Sequence, residues 1–129
     1  MVDFKNLKVW NRAMDFAVMI YGVIKRFPEE ERYILTDQLR RASVSIFSNI
    51  AEGCRSGTEG EFIYFLNKAR GSCAEVESQL IFAGRVKLID EDRVVRLTRE
   101  CEEISRMLSG YIKYLKNDKN IKIMLERKC

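Results

Sequence analysis

Two runs of apolar residues at strict heptad-like spacing constrain this chain more than any other feature. Phe62, Leu66, Ala69, Cys73, Val76, Leu80 and Ala83 follow one another at steps of four and three. Val94, Leu97, Cys101, Ile104, Leu108, Tyr111 and Leu115 do the same at steps of three and four. Such spacing keeps a stripe on one side of a helix with 3.6 residues per turn, and no strand period of two accommodates it. Two long amphipathic helices joined by a short connection are therefore expected to pack antiparallel along these stripes.

The first half of the chain reads in the same rhythm. Leu7, Trp10, Met14, Ala17, Tyr21 and Ile24 form one row, and Ala13, Phe16, Ile20, Val23 and Phe27 form a second beside it. This first helix thus has an unusually wide apolar face: one row fills the core, and the other covers a further helix or another subunit. Leu35, Leu39, Ala42, Ile46, Asn49 and Gly53 make the row of the second helix, with Ile50 adjoining. Asn49 is the one polar residue on that row.

The punctuation agrees. Pro28 is the single proline, and it is followed by Glu29, Glu30 and Glu31. Proline suits a first helical turn, and the glutamates suit the positive end of a helix dipole. Helix 2 is therefore expected to begin there, with an irregular turn at Tyr33–Thr36 as the alternative suggested by Thr36-Asp37. Gly57 breaks the chain, and Thr58-Glu59-Gly60-Glu61 has the form of a capping box in which Glu61 reaches back to the cap N–H. Asp90 caps the fourth helix, with Glu91 and Asp92 in its first turn. The fold class that follows is all-α, an antiparallel up-down-up-down four-helix bundle over residues 1–116, with a C-terminal tail at 117–129. Ile121, Ile123, Met124 and Leu125 of that tail suit an extra helical turn or docking elsewhere.

Composition narrows the chemistry. At 129 residues with 47% hydrophobic side chains, the chain fits a single core that needs no staple. There is no histidine, which removes the usual general base and the commonest metal ligand, and with them the di-iron use of a four-helix bundle. Cys54, Cys73, Cys101 and Cys129 form no Cys-x-x-Cys pair, so no metal site and no cofactor are expected. Cys73 and Cys101 sit on the apolar stripes as small hydrophobes, and Cys54 beside Arg55 reads as an ordinary free thiol. No phosphate-cradling glycine loop is present, and Glu75 and Glu77 point to different faces of their helix. The chain is expected not to be an enzyme. The apolar run from Phe16 to Ile24 is too short to span a bilayer, and the opening Met1-Val2-Asp3-Phe4-Lys5 does not read as an export signal. A reducing cytoplasm is the expected location.

The net charge is +4, and its distribution is uneven. Residues 1–64 balance nine basic against nine acidic side chains, which leaves fourteen basic and ten acidic for residues 65–129. Helix 2 carries Gln38, Arg40, Arg41, Ser43, Ser45, Ser48, Asn49 and Glu52, and helix 3 answers with Asn67, Lys68, Arg70, Ser72, Glu75 and Gln79. This polar stripe has two readings. In one it is a solvated face whose hydrogen bonds, and arginine pairs with Glu52 or Glu75, set the helix register. In the other, Arg40, Arg41, Arg55, Lys68 and Arg70 form a phosphate-binding surface for RNA or DNA.

Several segments of the chain are similar to a known family. Phe4-Lys5-Asn6-Leu7-Lys8-Val9-Trp10, Leu39-Arg40-Arg41-Ala42-Ser43-Val44-Ser45-Ile46, Ser48-Asn49-Ile50-Ala51-Glu52-Gly53 and Phe62-Ile63-Tyr64-Phe65-Leu66-Asn67-Lys68-Ala69-Arg70-Gly71-Ser72 resemble the four-helix bundle proteins encoded by intervening sequences in bacterial 23S rRNA genes. The likeness runs from about Phe4 to Leu115, and the Ser-Asn-Ile-Ala-Glu-Gly segment is its most specific part. The family commonly has proline where this chain has Phe47, which predicts a straighter helix 2 with a large ring at a contact surface. The resemblance implies a homo-oligomer, a pentameric ring, and relatives that act as accessory subunits of diversity-generating retroelements, binding nucleic acid and a reverse transcriptase. The expected function is a non-enzymatic oligomeric adaptor associated with nucleic acid. The alternative is a structural protein–protein interaction module without nucleic-acid binding.

Overall fold

The structure, a computed structural model, describes residues 2–117. Four helices carry the fold: α1 (Lys8–Ile24), α2 (Asp37–Arg55), α3 (Glu59–Arg85) and α4 (Glu91–Lys116). Among the described residues there is no strand. The expected tail lies outside the described residues apart from Asn117.

Cross-helix pairs fix the directions. Ser72 of α3 meets Ser45 of α2, and Gln79 meets Gln38, so one index rises as the other falls. Arg12 of α1 meets Glu100 of α4, while Val23 and Arg26 line a groove with Leu97 and Arg93 in the same reversed order. Neighbours therefore run antiparallel, as their short connections require. The α2–α3 and α3–α4 seams are the most extensive, α1–α2 is intermediate, and α1–α4 is sparse.

The two stripes on α3 and α4 are the core. Leu66, Ala69, Val76, Leu80, Ala83, Cys101, Ile104 and Leu108 are fully buried, and Cys73, Leu97, Tyr111 and Leu115 nearly so. Phe62 and Val94, at the ends of the rows, are half-buried. All six members of the α2 row are buried, Asn49 and Gly53 included. Asn49 is not alone as a buried polar residue: Thr36, Ser43 and Ser72 join it. The Asn49 amide donates to the Ser45 carbonyl at 2.8 Å and to Ser45 Oγ at 2.9 Å, and Ser72 Oγ donates to Ser45 Oγ at 2.9 Å. These bonds satisfy groups that would otherwise be costly to bury between α2 and α3.

On α1 the two rows separate. Ala13, Phe16, Ile20, Val23 and Phe27 are all buried. In the other row Leu7, Ala17 and Ile24 are buried, Trp10 and Met14 are half-buried, and Tyr21 is exposed. The apolar side chains that α1 leaves most open are Val18 and Met19, which belong to neither row.

The α1–α2 connection departs from the expected helix start at Pro28. Glu29–Glu31 form a 3₁₀ turn, Arg32–Thr36 form a wide π turn, and α2 begins at Asp37. The widened turn buries Leu35 and Thr36 while Tyr33 and Ile34 face outward, 83% and 64% exposed. At the next two starts the caps are formed. Thr58 Oγ1 accepts from the Glu61 N–H at 3.1 Å, and Asp90 Oδ1 accepts from the Arg93 N–H at 2.9 Å. The Glu61 carboxylate returns to the Thr58 hydroxyl, at 3.1 Å, rather than to the cap N–H. Phe47 is half-buried against the core within an α2 that runs unbroken from Asp37 to Arg55.

Candidate nucleic-acid interface

The five expected phosphate-binding residues are spread along α2 and α3 and do not converge at one point. Arg40 and Arg41 stand in the first turns of α2, and Arg55 ends it. Fourteen residues at 1.5 Å each put about 21 Å between Arg41 and Arg55. The Ser45–Ser72 pair sets Lys68 and Arg70 of α3 at intermediate levels. Lys68 and Arg70 are two positions apart, so they leave α3 on different sides. The set is a ladder of cations along the α2–α3 layer.

Each rung already has a neighbour. Asp37 takes the two arginines near the start of α2: Arg41 Nε lies 2.9 Å from Oδ2, and Arg40 Nη1 lies 3.8 Å from Oδ1. Their carboxylate partner is thus Asp37, one helical turn back, rather than Glu52 or Glu75. Such exposed pairs one turn apart hold side chains only loosely, and the Arg41 side chain remains 79% exposed. The Arg40 guanidinium also lies over the Tyr21 ring at 5.7 Å, and that of Arg55 over Phe4 at 5.3 Å. Lys68 Nζ stands 5.5 Å from the Tyr64 ring and 5.7 Å from Phe65, and Arg70 Nη1 donates to Asn67 Oδ1 at 3.1 Å. Tyr64 and Phe65 meet edge-on at 5.3 Å, with Tyr64 58% exposed. Lys68 and the exposed Tyr64 ring thus form a cation–π pair on the α3 surface.

A second basic site was not legible before the helices were placed. Arg26, two residues past the end of α1, and Arg93 and Arg96 on α4 line a groove of about 500 Å³ with Met19, Gly22, Val23 and Leu97. The spacing of Arg93, Arg96, Leu97 and Glu100 marks one face of α4, but only the antiparallel pairing brings Arg26 to it. The one acid in the groove, Glu100, is held across the seam by Arg12, at 2.6 Å from Nε and 3.0 Å from Nη2. That bond raises the pKa of the Arg12 guanidinium, against the lowering effect of desolvation.

Cys54 lines a separate cleft of about 330 Å³ with Phe62, Tyr111 and Tyr114 at the opposite end of the bundle. Burial dominates its ionisation and pushes the thiol up to about 11, with Asp3 adding to the rise and Arg55 countering it. Burial likewise raises Cys73 to about 12 and Cys101 further. These are protonated, inert thiols at neutral pH. Among the described residues no group of three or more acidic or cysteine side chains is placed to hold a metal, and no helix is long and apolar enough to cross a membrane.

Four antiparallel helices with a polar α2–α3 layer and an unbroken α3–α4 core define a small helical-bundle protein whose polar signature lies on α2 and α3. The chain belongs to the 23S rRNA-intervening sequence protein family, whose model matches residues 5–110. It is also similar to a solved structure from Bacteroides thetaiotaomicron VPI-5482, described as a protein of unknown function from the S23 ribosomal protein family. The two are 27% identical with a TM-score of 0.76, over 81% of this chain and 98% of that one. No curated protein matches.

Proposed function

We propose that this chain is a non-enzymatic, oligomeric adaptor that associates with RNA or DNA through phosphate contacts. The observation that carries the reading is the pair of α3 cations, on two sides of the helix: Lys68 stands over exposed Tyr64, and Arg70 has no carboxylate partner among the described residues. Arg41 extends the surface onto α2, and its exposed pair with Asp37 gives way at little cost to a phosphate. Contacts of this kind position a nucleic-acid backbone without reading its bases. Spaced cations on one subunit bind weakly, and a ring of copies, such as a pentamer, turns weak contacts into avidity. A reverse transcriptase is the protein partner the family resemblance implies, and a reducing cytoplasm suits three buried thiols.

The test is a charge-reversal variant, Arg41→Glu/Lys68→Glu/Arg70→Glu, assayed for RNA and DNA binding beside its oligomer size and unfolding midpoint. With assembly and folding intact, affinity at low salt falls at least about tenfold and the salt dependence weakens by about one unit of log–log slope per lost contact. Unchanged binding, or no wild-type binding even at low salt, rejects the reading.

A second reading, a protein-interaction module without nucleic acid, is favoured by one observation. Tyr33, Ile34, Phe82, Val86 and Val95 are all exposed toward the end of the bundle where α1 and α3 finish and α4 begins. Binding of a protein partner by a chain that ignores nucleic acid would decide for it.

A further inference from the structure

The groove between α1 and α4 is the least closed seam of the bundle, and its chemistry is two-sided. Its floor is apolar, from Met19, Val23 and Leu97, and its rim carries Arg26, Arg93 and Arg96. At Gly22 a β-carbon would meet nothing within 4 Å, so the α1 backbone itself is open to an approaching chain. Among the described residues none of the three arginines has an ion-pair partner, and the one carboxylate that lines the groove, Glu100, is taken by Arg12. A nucleic-acid backbone would satisfy the rim but leave the apolar floor unused. A segment with acids and exposed apolar side chains together satisfies both.

The chain carries such a segment. Glu29, Glu30 and Glu31 project from the 3₁₀ turn, and Tyr33 and Ile34, among the most exposed large apolar side chains, follow on the π turn. Only Glu29 has a cation near it, Arg32 at 3.7 Å, and Glu30 and Glu31 have no ion pair among the described residues. A π turn is an unusual way to enter a helix, and such turns gather at functional sites. Here it presents Tyr33 and Ile34 beside three glutamates and one cation, Arg32, which pairs with Glu29 and lies 5.4 Å from the Tyr33 ring, so the segment is net negative against a receptor with three positive charges and an apolar floor. Within one chain the two surfaces do not pair.

We propose that the Glu29–Ile34 segment of one copy docks into the α1–α4 arginine groove of the next. Repeated head to tail, the contact is heterologous and propagates around a closed ring or along an open filament; exchanged reciprocally between two copies, it closes a two-fold dimer. The proposal rests on the oligomeric part of the function above and assigns its interface.

Four full-length variants test it by sedimentation velocity over a concentration series, with helicity and unfolding midpoint as folding controls. Arg93→Glu/Arg96→Glu reverses the groove, and Glu29→Arg/Glu30→Arg/Glu31→Arg reverses the segment. Each weakens self-association at least about tenfold, because like charges face each other across the contact. A chain carrying both sets regains self-association, because its reversed segment fits its reversed groove. Tyr33→Ser/Ile34→Ser, which leaves charge unchanged, weakens association in the same direction. If the wild type assembles and neither reversal alters assembly, the interface lies elsewhere, and this proposal falls while the oligomeric reading stands. If the groove reversal abolishes RNA binding with assembly unchanged, the groove is a nucleic-acid site and the docking proposal falls. A wild type that stays at 15.1 kDa at every concentration removes both.

Discussion

At the scale of single residues, Gly53 gives physical content to the family's most specific segment. A β-carbon at that position would lie 2.8 Å from Phe62 Cδ1 and 3.1 Å from Phe65 Cβ, so the glycine lets α2 and α3 approach. Asn49 and Ile50 of the same segment are buried at this seam or in the core. Gly53→Ala is expected to lose about 1 kcal/mol, because overpacking of about 1–3 kcal/mol outweighs the roughly 1 kcal/mol of helix propensity gained. Gly71, where a β-carbon meets nothing, is the control: Gly71→Ala should gain about 0.5–1 kcal/mol. Urea unfolding of the two variants checks both signs. The buried thiols make a second prediction. Their folded pKa values of about 11 for Cys54 and about 12 for Cys73 exceed the unfolded value of about 8.5. Above pH 8.5 the unfolded chain releases these protons first, so their contribution to stability is complete below that pH and declines as pH climbs toward 11–12. Cys73→Ala should flatten the alkaline loss measured by denaturant unfolding at fixed pH steps. In the native protein at pH 8, peptide mapping should find Cys54, Cys73 and Cys101 unalkylated until denaturant is added.

At the scale of elements, the α3–α4 stripes were fully legible because seven consecutive positions in each obey one period and bury one face. The Thr58 and Asp90 caps were legible for a similarly local reason. The α1–α2 connection was legible only as an alternative: Thr36-Asp37 marked the irregular turn that forms at Arg32–Thr36, while Pro28 and three glutamates fit an α-helical start as well as the 3₁₀ turn they adopt. Burial of Leu35 and Thr36 decides that geometry, and burial is a tertiary fact. The α3 terminus carries another feature hidden from local reading. Lys87 has φ of 67°, with the Leu88 N–H bonded to the Ala83 carbonyl at 2.9 Å and the Lys87 N–H to Gly84 at 3.1 Å. This is a Schellman ending with lysine in the left-handed position that glycine ordinarily takes. Lys87→Gly should therefore stabilise the fold by about 1 kcal/mol, since a left-handed non-glycine residue costs about 1–2 kcal/mol. A thermal melt of the variant should rise; an unchanged or lower midpoint would show that Lys87 makes a compensating contact.

At the scale of the whole molecule, the basic residues show where sequence reading stops. Arg40, Arg41, Arg55, Lys68 and Arg70 were visible as a polar stripe, but helical phase alone does not say how far apart five cations on two antiparallel helices stand. The assembled bundle spreads them along the α2–α3 layer and gathers a different set, Arg26, Arg93 and Arg96, from helix ends that are distant in sequence. The α1 surface shows the same limit: its buried row matched the expected spacing, while Val18 and Met19 are the open ones, Met19 at the groove that α4 leaves beside α1. The central claim is that the α2–α3 ladder holds nucleic acid by charge, and its most direct measurement is the affinity of the wild-type assembly for a short RNA across a salt series. The account predicts log affinity falling linearly with log salt at a slope of about −3 or steeper, with little dependence on sequence. A slope near zero, or no binding in low salt, would contradict it.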